Sequence, residues 1–180
     1  MIANARMYSV SPAVADLWRR LLTAITGISG LPIAVIDHPA PAPLEDLWSR
    51  SDQAAVFMCG LPFSRAQPQP VLMAAPVPSP VEYAGEARYW SELVVRQDSI
   101  YESVADTYGG RIAFTVPGSQ SGCVAALSFF QTADREPPLF HEIIAPTITP
   151  LGALSAVIRG EADVAPIDSY AFALLKRYRA

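Results

Sequence analysis

The residues best suited to chemistry lie in one run, Val116-Pro117-Gly118-Ser119-Gln120-Ser121-Gly122. A strand candidate ends there in a turn, and a helix begins among hydroxyl and glycine residues. The first turn of a helix leaves backbone N–H groups unpaired and carries partial positive charge. Ser119 and Ser121 add hydroxyl donors, and Gly122 lets a ligand approach the backbone. The run therefore has the makings of a site for a small anion. The competing reading is an ordinary helix N-cap. No Lys or Arg occurs from Ile112 to Ala133, so an anion bound there would be held by amides and hydroxyls.

Other positions offer less. Thr149 starts a second helix in the same style, with Thr147 two residues earlier. Two such starts in one α/β lobe can converge on one ligand, because ligands bind beyond the carboxyl ends of parallel strands. Tyr8-Ser9 and Cys59-Gly60-Leu61-Pro62 each come after a strand candidate and precede a helix. Tyr8 reads equally as a partly buried aromatic and Cys59 as a small apolar filler. No basic residue near Cys59 in sequence would lower its pKa for attack as a nucleophile. Tyr83, Tyr89 and Trp90 suit the walls of a cleft or the packing of a sheet. Asp168 either pairs with a cationic group of a ligand or caps the next helix.

Several chemistries are set aside. His38 and His141 have no partners at metal-ligand spacing, and two cysteines, Cys59 and Cys123, make neither a disulfide framework nor a four-ligand zinc site. No Gly-x-Ser-x-Gly elbow, phosphate-binding loop or dinucleotide fingerprint is present. The expectation is no cofactor, no metal and no catalytic group.

Composition narrows the class further. A chain of 180 residues is one domain or two small lobes, and it buries roughly 70% of its unfolded surface. It is 51% hydrophobic and 17% charged, unlike disordered chains. A net charge of −4 and a pI near 5.1 give no basic footprint for nucleic acid. The longest uncharged stretch, Ile112 to Ala133, is broken by the Pro117–Gly122 turn and so is not read as a membrane span. The first residues lack a basic region leading into an apolar one, so no secretory signal is expected. Both a cytoplasmic location and a removed signal are compatible with that.

Around these candidates the pattern alternates strands and helices, which predicts an α/β fold. Strands are expected at Arg6–Val10, Leu31–Ile36, Ala54–Met58, Tyr89–Arg96, Arg111–Val116 and Asp163–Ile167. A first helix is capped by Ser11 with Pro12 at its start, carries Val14, Leu17, Trp18, Leu21, Leu22 and Ile25 as one stripe, and stops at Gly27 and Gly30. Short helical pieces surround Leu47 and span Ser103–Tyr108. Gln120–Gln131 is a helix that buries Val124, Leu127 and Phe130. The helix from Thr149-Pro150 carries Leu151, Leu154, Val157 and Ile158 and closes at Gly160. Asp168 or Ser169 caps a last helix that ends in Lys176, Arg177 and Arg179, charges that favour a helix C-terminus. Ten of the 17 prolines fall between Pro32 and Pro80. The dense stretch from Pro68 to Pro80 is read as an edge segment leading into a crossing between lobes, or as a surface loop.

Three ordered motifs carry a resemblance: Tyr89-x-Ser91 leading into Leu93-Val94-Val95-Arg96; Ser119-Gln120-Ser121-Gly122; and Ala156-Val157-x-x-Gly160-x-Ala162-Asp163-Val164-Ala165-x-Ile167-Asp168. With Met7-Tyr8 and Cys59-Gly60-Leu61-Pro62 they resemble the phosphate/phosphonate-type substrate-binding proteins of ABC transporters, from Met7 to about Leu175. The resemblance implies the two-lobed type 2 periplasmic binding protein fold. Lobe one would be residues 1–81, with 168–180 returning to it, and lobe two residues 82–167. It implies a non-enzymatic solute-binding protein for a small oxyanion or phosphonate-like metabolite, an ABC permease as partner, no membrane insertion, and a periplasmic location. Ser119, Gln120, Ser121 and Gly122 would be the anion grip, with Tyr8, Ser9, Cys59, Tyr89, Thr149 and Asp168 as further ligand residues. Two departures accompany it. The histidine that family members often carry at the start of the later helix is Pro150 here, leaving Thr149 to substitute, and the C-terminal return has room for one helix only. A cytoplasmic enzyme and an effector-sensing domain on the same fold are the alternatives.

Overall fold

The computed structural model describes residues 1–178. The chain divides into two compact units, Met1–Ala74 with the residues from Leu174 onward, and Ala75–Ala173.

In the first unit three short strands pair in parallel: β1 (Ile2–Asn4) lies between β2 (Ala34–Val35) and β3 (Gln53–Val56). Helix α1 (Pro12–Ser29) links β1 to β2, and α2 (Leu44–Trp48) links β2 to β3; α3 (Gly60–Arg65) comes after β3. The start of α1 is set locally. Ser11 Oγ accepts the Val14 amide at 3.3 Å, and Pro12 occupies the first turn. Its end is Gly30, in the left-handed region at φ 67°, whereas Gly27 lies inside the helix. Leu22 and Trp18 pack on Ala3, Ala5, Val35, Ala55 and Phe57.

Two expectations change here. The first strand is Ile2–Asn4, and Arg6–Tyr8 is a single 3₁₀ turn. Asn4 explains the break: its Nδ2 donates to the Ile36 carbonyl at 2.8 Å and its Oδ1 accepts the Arg6 amide at 2.7 Å, which bends the chain out of the sheet. The buried stripe of α1 is Val14, Leu22 and Thr26, while Leu17, Leu21 and Ile25 are about half exposed. The sheet has only three short strands, too few to cover so wide an apolar face.

In the second unit β5 (Arg111–Ala113) pairs in parallel with β6 (Glu142–Ile144), and β4 (Ser91–Val94) pairs antiparallel with β7 (Ala165–Asp168). An Ile112–Val164 bridge joins the two pairs. Strand side chains alternate between faces. Ile112, Phe114 and Val164 accordingly pack with Cys123, Ala126 and Phe130 of the helix after β5, whereas Ala113, Ala165 and Ile167 pack with Ala153, Ala156 and Val157 of α5 (Pro150–Ile158). This layering, helices on both faces of the strands, is what aims the two helix starts.

The helix after β5 opens with a π turn over Gln120–Val124 before α4 (Ala125–Phe130). The wider turn rotates the rest of the helix. Its buried residues are Ser121, Gly122, Cys123, Ala126 and Phe130; of the expected face Phe130 is buried, Val124 half-buried and Leu127 exposed. On α5 the expected Val157 is buried with Ala153 and Ala156, and Leu154 packs against them, while Ile158 is exposed. Strand β6 lies where no element was expected. Helix α6 (Ser169–Tyr178) begins directly after β7; of its expected terminal charges, Arg179 lies outside the described residues.

Candidate functional site

Ser119 ends the turn after β5 in an extended conformation, and its Oγ accepts the Gly122 amide at 3.1 Å. Its carbonyl accepts from the Val124 amide at 3.0 Å, a bond five residues long. Those two bonds consume the amides of Gly122 and Val124. Helix geometry leaves the amides of Gln120, Ser121 and Cys123 without an intrahelical acceptor. Residues 119–124 carry no charged side chain of their own, so any attraction they exert on an anion comes from these dipoles.

Ser121 is held at both its polar groups. Its hydroxyl donates to Asp168 Oδ2 at 3.0 Å, and its carbonyl accepts from the Ser91 hydroxyl at 2.8 Å. Ser91 and Asp168 are cross-strand partners in the β4–β7 register. Asp168 is buried, with its Oδ1 accepting the Ala171 amide at 2.9 Å. Burial pushes its carboxyl pKa upward, opposed by the Ala171 and Ser121 hydrogen bonds. Of the two roles open to Asp168, it performs the capping one at the start of α6.

The second helix start repeats the device. Thr149 Oγ1 accepts the Gly152 amide at 3.0 Å, as Ser119 does with Gly122. Each third-position glycine is enforced by sterics. A Cβ on Gly122 would stand 2.2 Å from Thr115 Oγ1, and one on Gly152 would stand 2.1 Å from the Thr147 carbonyl oxygen. The two starts share an anchor at the end of β5. The Thr115 amide donates to the Gly122 carbonyl at 3.2 Å, and the Ile148 amide donates to the Thr115 carbonyl at 3.2 Å. Thr147 donates both its amide and its hydroxyl to the Phe114 carbonyl at 3.0 Å. Thr115 Oγ1 is buried with no hydrogen-bond partner, alone in this among the described residues.

The aromatic candidates differ in placement. Tyr89 is 38% exposed. Trp90 stacks on the buried Tyr83 with centroids 4.7 Å apart, and its amide donates to Ser169 Oγ at 3.1 Å. Burial raises the Tyr83 phenol, whose hydroxyl shares a hydrogen bond with Ser169.

Tyr8, Ser9 and Cys59 belong to the first unit. Tyr8 is buried with its ring edge-on to Phe57 at 5.3 Å, Ser9 Oγ donates to the Ala5 carbonyl at 3.0 Å, and the buried Cys59 thiol lies 3.3 Å from Met7 Sδ. The residues that sequence reasoning missed are Thr115 and Ser91. Ser91 acts on the backbone of Ser121, 30 residues along the chain, and Thr115 joins Gly122 to Ile148 of the later segment, links that leave no local signature. Among the described residues no group of three or more His, Cys, Asp or Glu side chains is set to hold a metal, and no helix is long and apolar enough to cross a membrane.

Comparison with known proteins gives the class. Residues 12–180 match the family of ABC transporter phosphonate periplasmic substrate-binding proteins, and the chain belongs to it. Among solved structures it is similar to a binding protein component of an ABC phosphonate transporter from Pseudomonas aeruginosa, at 16% identity and a TM-score of 0.69 over 97% of this chain and 59% of that one. It is also similar to the periplasmic aliphatic sulphonate binding protein SsuA from Escherichia coli, at 18% identity and a TM-score of 0.56 over 97% of this chain and 53% of that one. The fold is thus the mixed α/β fold of periplasmic binding proteins, and the chain spans little more than half the length of these two. No curated protein matches the chain.

Proposed function

We propose that the chain binds a small tetrahedral oxyanion of the phosphonate or sulfonate type for ABC-type uptake, at the Ser119–Gly122 helix start. The amides of Gln120, Ser121 and Cys123 would donate to the anion, and the Thr149 helix start would add donors from the same strand end. The single observation that carries this reading is a helix start capped by Ser119, with no basic or acidic residue of its own, tied through Thr115 to the second start at Thr149. Membership of a transport family supports binding without turnover. In this reading residues 1–81 and 168–180 form one lobe, residues 82–167 the other, and the lobes close on the ligand by a hinge motion. Tyr8, Ser9, Cys59 and Tyr89 would line the ligand surface, and an ABC permease would receive the loaded protein. The test is calorimetry of the folded chain with phosphate, methylphosphonate, sulfate, methanesulfonate and acetate. Binding of at least one tetrahedral anion in preference to acetate is the expected result. Heats indistinguishable from dilution for all five would overturn the proposal.

A further inference from the structure

The cross-strand pair Ser91 and Asp168 grips one residue, Ser121, from both sides: Ser91 takes its carbonyl and Asp168 its hydroxyl. We propose that Asp168 is a positioning residue for the anion grip and not a contact for the ligand. The inference rests on the binding reading above and sharpens it. Both Asp168 oxygens are already engaged, Oδ2 by the Ser121 hydroxyl and Oδ1 by the Ala171 amide, and the side chain is buried. A cationic group on a ligand would have to displace a donor to reach it. The Ser121 hydroxyl, for its part, is turned toward Asp168, so Ser121 offers the anion its amide alone. Held at carbonyl and hydroxyl by two paired strands, Ser121 has its Cα and side chain anchored, which fixes where its own amide nitrogen stands, while the carbonyl bond orients the peptide plane that it shares with the Gly122 N–H, the amide taken by Ser119 Oγ. A shift of about 1 Å in a donor is large against the narrow distance range of a hydrogen bond. The pair thus pins the middle of the π turn that carries the donors. The buried Thr115 hydroxyl packed on Gly122 closes the same turn from behind.

This assignment has a consequence for the class of ligand. With its acidic side chain consumed internally, the site's recognition in this unit is directed at the oxyanion end. Selectivity for an ammonium group on the ligand does not come from Asp168.

The experiment uses the full chain and two probes with one anion, ethylphosphonate and 2-aminoethylphosphonate, titrated by calorimetry into wild type, D168N, D168A, S121A and the D168A/S121A double variant. Amide NMR of residues 120–123 is recorded with and without ethylphosphonate, and thermal unfolding checks that each variant is folded. D168A and S121A are expected to weaken both probes by about tenfold or more, and the double variant no further than either single one, because both remove one interaction. D168N, which keeps the shape and a hydrogen-bonding group opposite Ser121, is expected to restore most of the affinity and the wild-type pattern of anion-induced amide shifts. Equal effects on both probes are part of the expected result. A loss in D168N confined to the aminoethyl probe would overturn the assignment in favour of direct contact. Unchanged affinity in D168A and S121A, with wild type binding normally, would overturn it as well. Failure of wild type to bind either probe would instead bring down the underlying binding proposal. If D168A fails to fold, D168N and S121A carry the same comparison.

Discussion

Thr115 and Gly122 close on each other without a Cβ between them: the Thr115 amide donates to the Gly122 carbonyl, and Thr115 Oγ1 occupies the space that a side chain at residue 122 would need. Gly122→Ala is therefore expected to destabilise the chain by about 1–3 kcal/mol through overpacking. Gly152→Ala is expected to cost more, because the obstructing atom there is the Thr147 carbonyl oxygen, a backbone atom that cannot rotate away. Urea denaturation of the two variants side by side checks both the sign and the order.

The unpartnered hydroxyl of Thr115 makes the opposite prediction. Burying a hydroxyl without a partner costs roughly 1–3 kcal/mol, and valine has the same shape without it. Thr115→Val is expected to raise the unfolding free energy by about 1 kcal/mol. A loss of stability on chemical denaturation would show that the hydroxyl is satisfied by a buried water.

The helix caps have a stability role that is measured without any ligand. Thr149→Ala and Ser119→Ala each remove an oxygen that accepts an N3 amide and are expected to cost about 1 kcal/mol. Thr149→Gly should cost only a few tenths, since glycine leaves the amide open to water. Thermal melts distinguish the three.

Two aspartates predict opposite pH behaviour. Arg111 donates to both Asp163 oxygens, at 3.1 Å and 3.0 Å, and this holds the Asp163 pKa below that of the unfolded chain. Its stabilisation is present above the unfolded aspartate pKa, about 4, and is lost as pH falls through the lower folded value. Asp168 is shifted upward by burial. Its contribution is fully present below the unfolded pKa and is lost as pH rises through the folded value. Asp163→Asn should thus flatten the acid limb of the stability profile, and Asp168→Asn should gain relative to wild type as pH rises above about 4. Denaturation midpoints at several pH values test both.

Much of the architecture is written in local signals. Ser11-Pro12 and Thr149-Pro150 mark helix starts because cap and first-turn geometry depend on neighbouring residues only. Gly30 and Gly160 mark ends because both take positive φ. The α/β alternation and the Ser119–Gly122 start are legible for the same reason. Features that depend on distant partners are not. Strand β1 has three residues and ends where Asn4 meets Ile36, a contact 32 residues away. The buried face of α4 is displaced by the π turn, where the Ser121 and Gly122 carbonyls accept from the Ser91 hydroxyl and the Thr115 amide, donors outside the helix. Asp168 is legible as a cap, but its hold on Ser121 arises only once β4 and β7 pair.

The lack of lysine and arginine between Ile112 and Ala133 has a consequence in the surroundings rather than in the fold. Attraction between full charges is screened over about 8–10 Å in physiological saline, while hydrogen bonds at contact are screened far less. A grip made of amides keeps its affinity as ionic strength swings. Were the proposed anion held there, such a grip would exert little pull at a distance, and the ligand would arrive by unsteered diffusion and be selected by shape at contact.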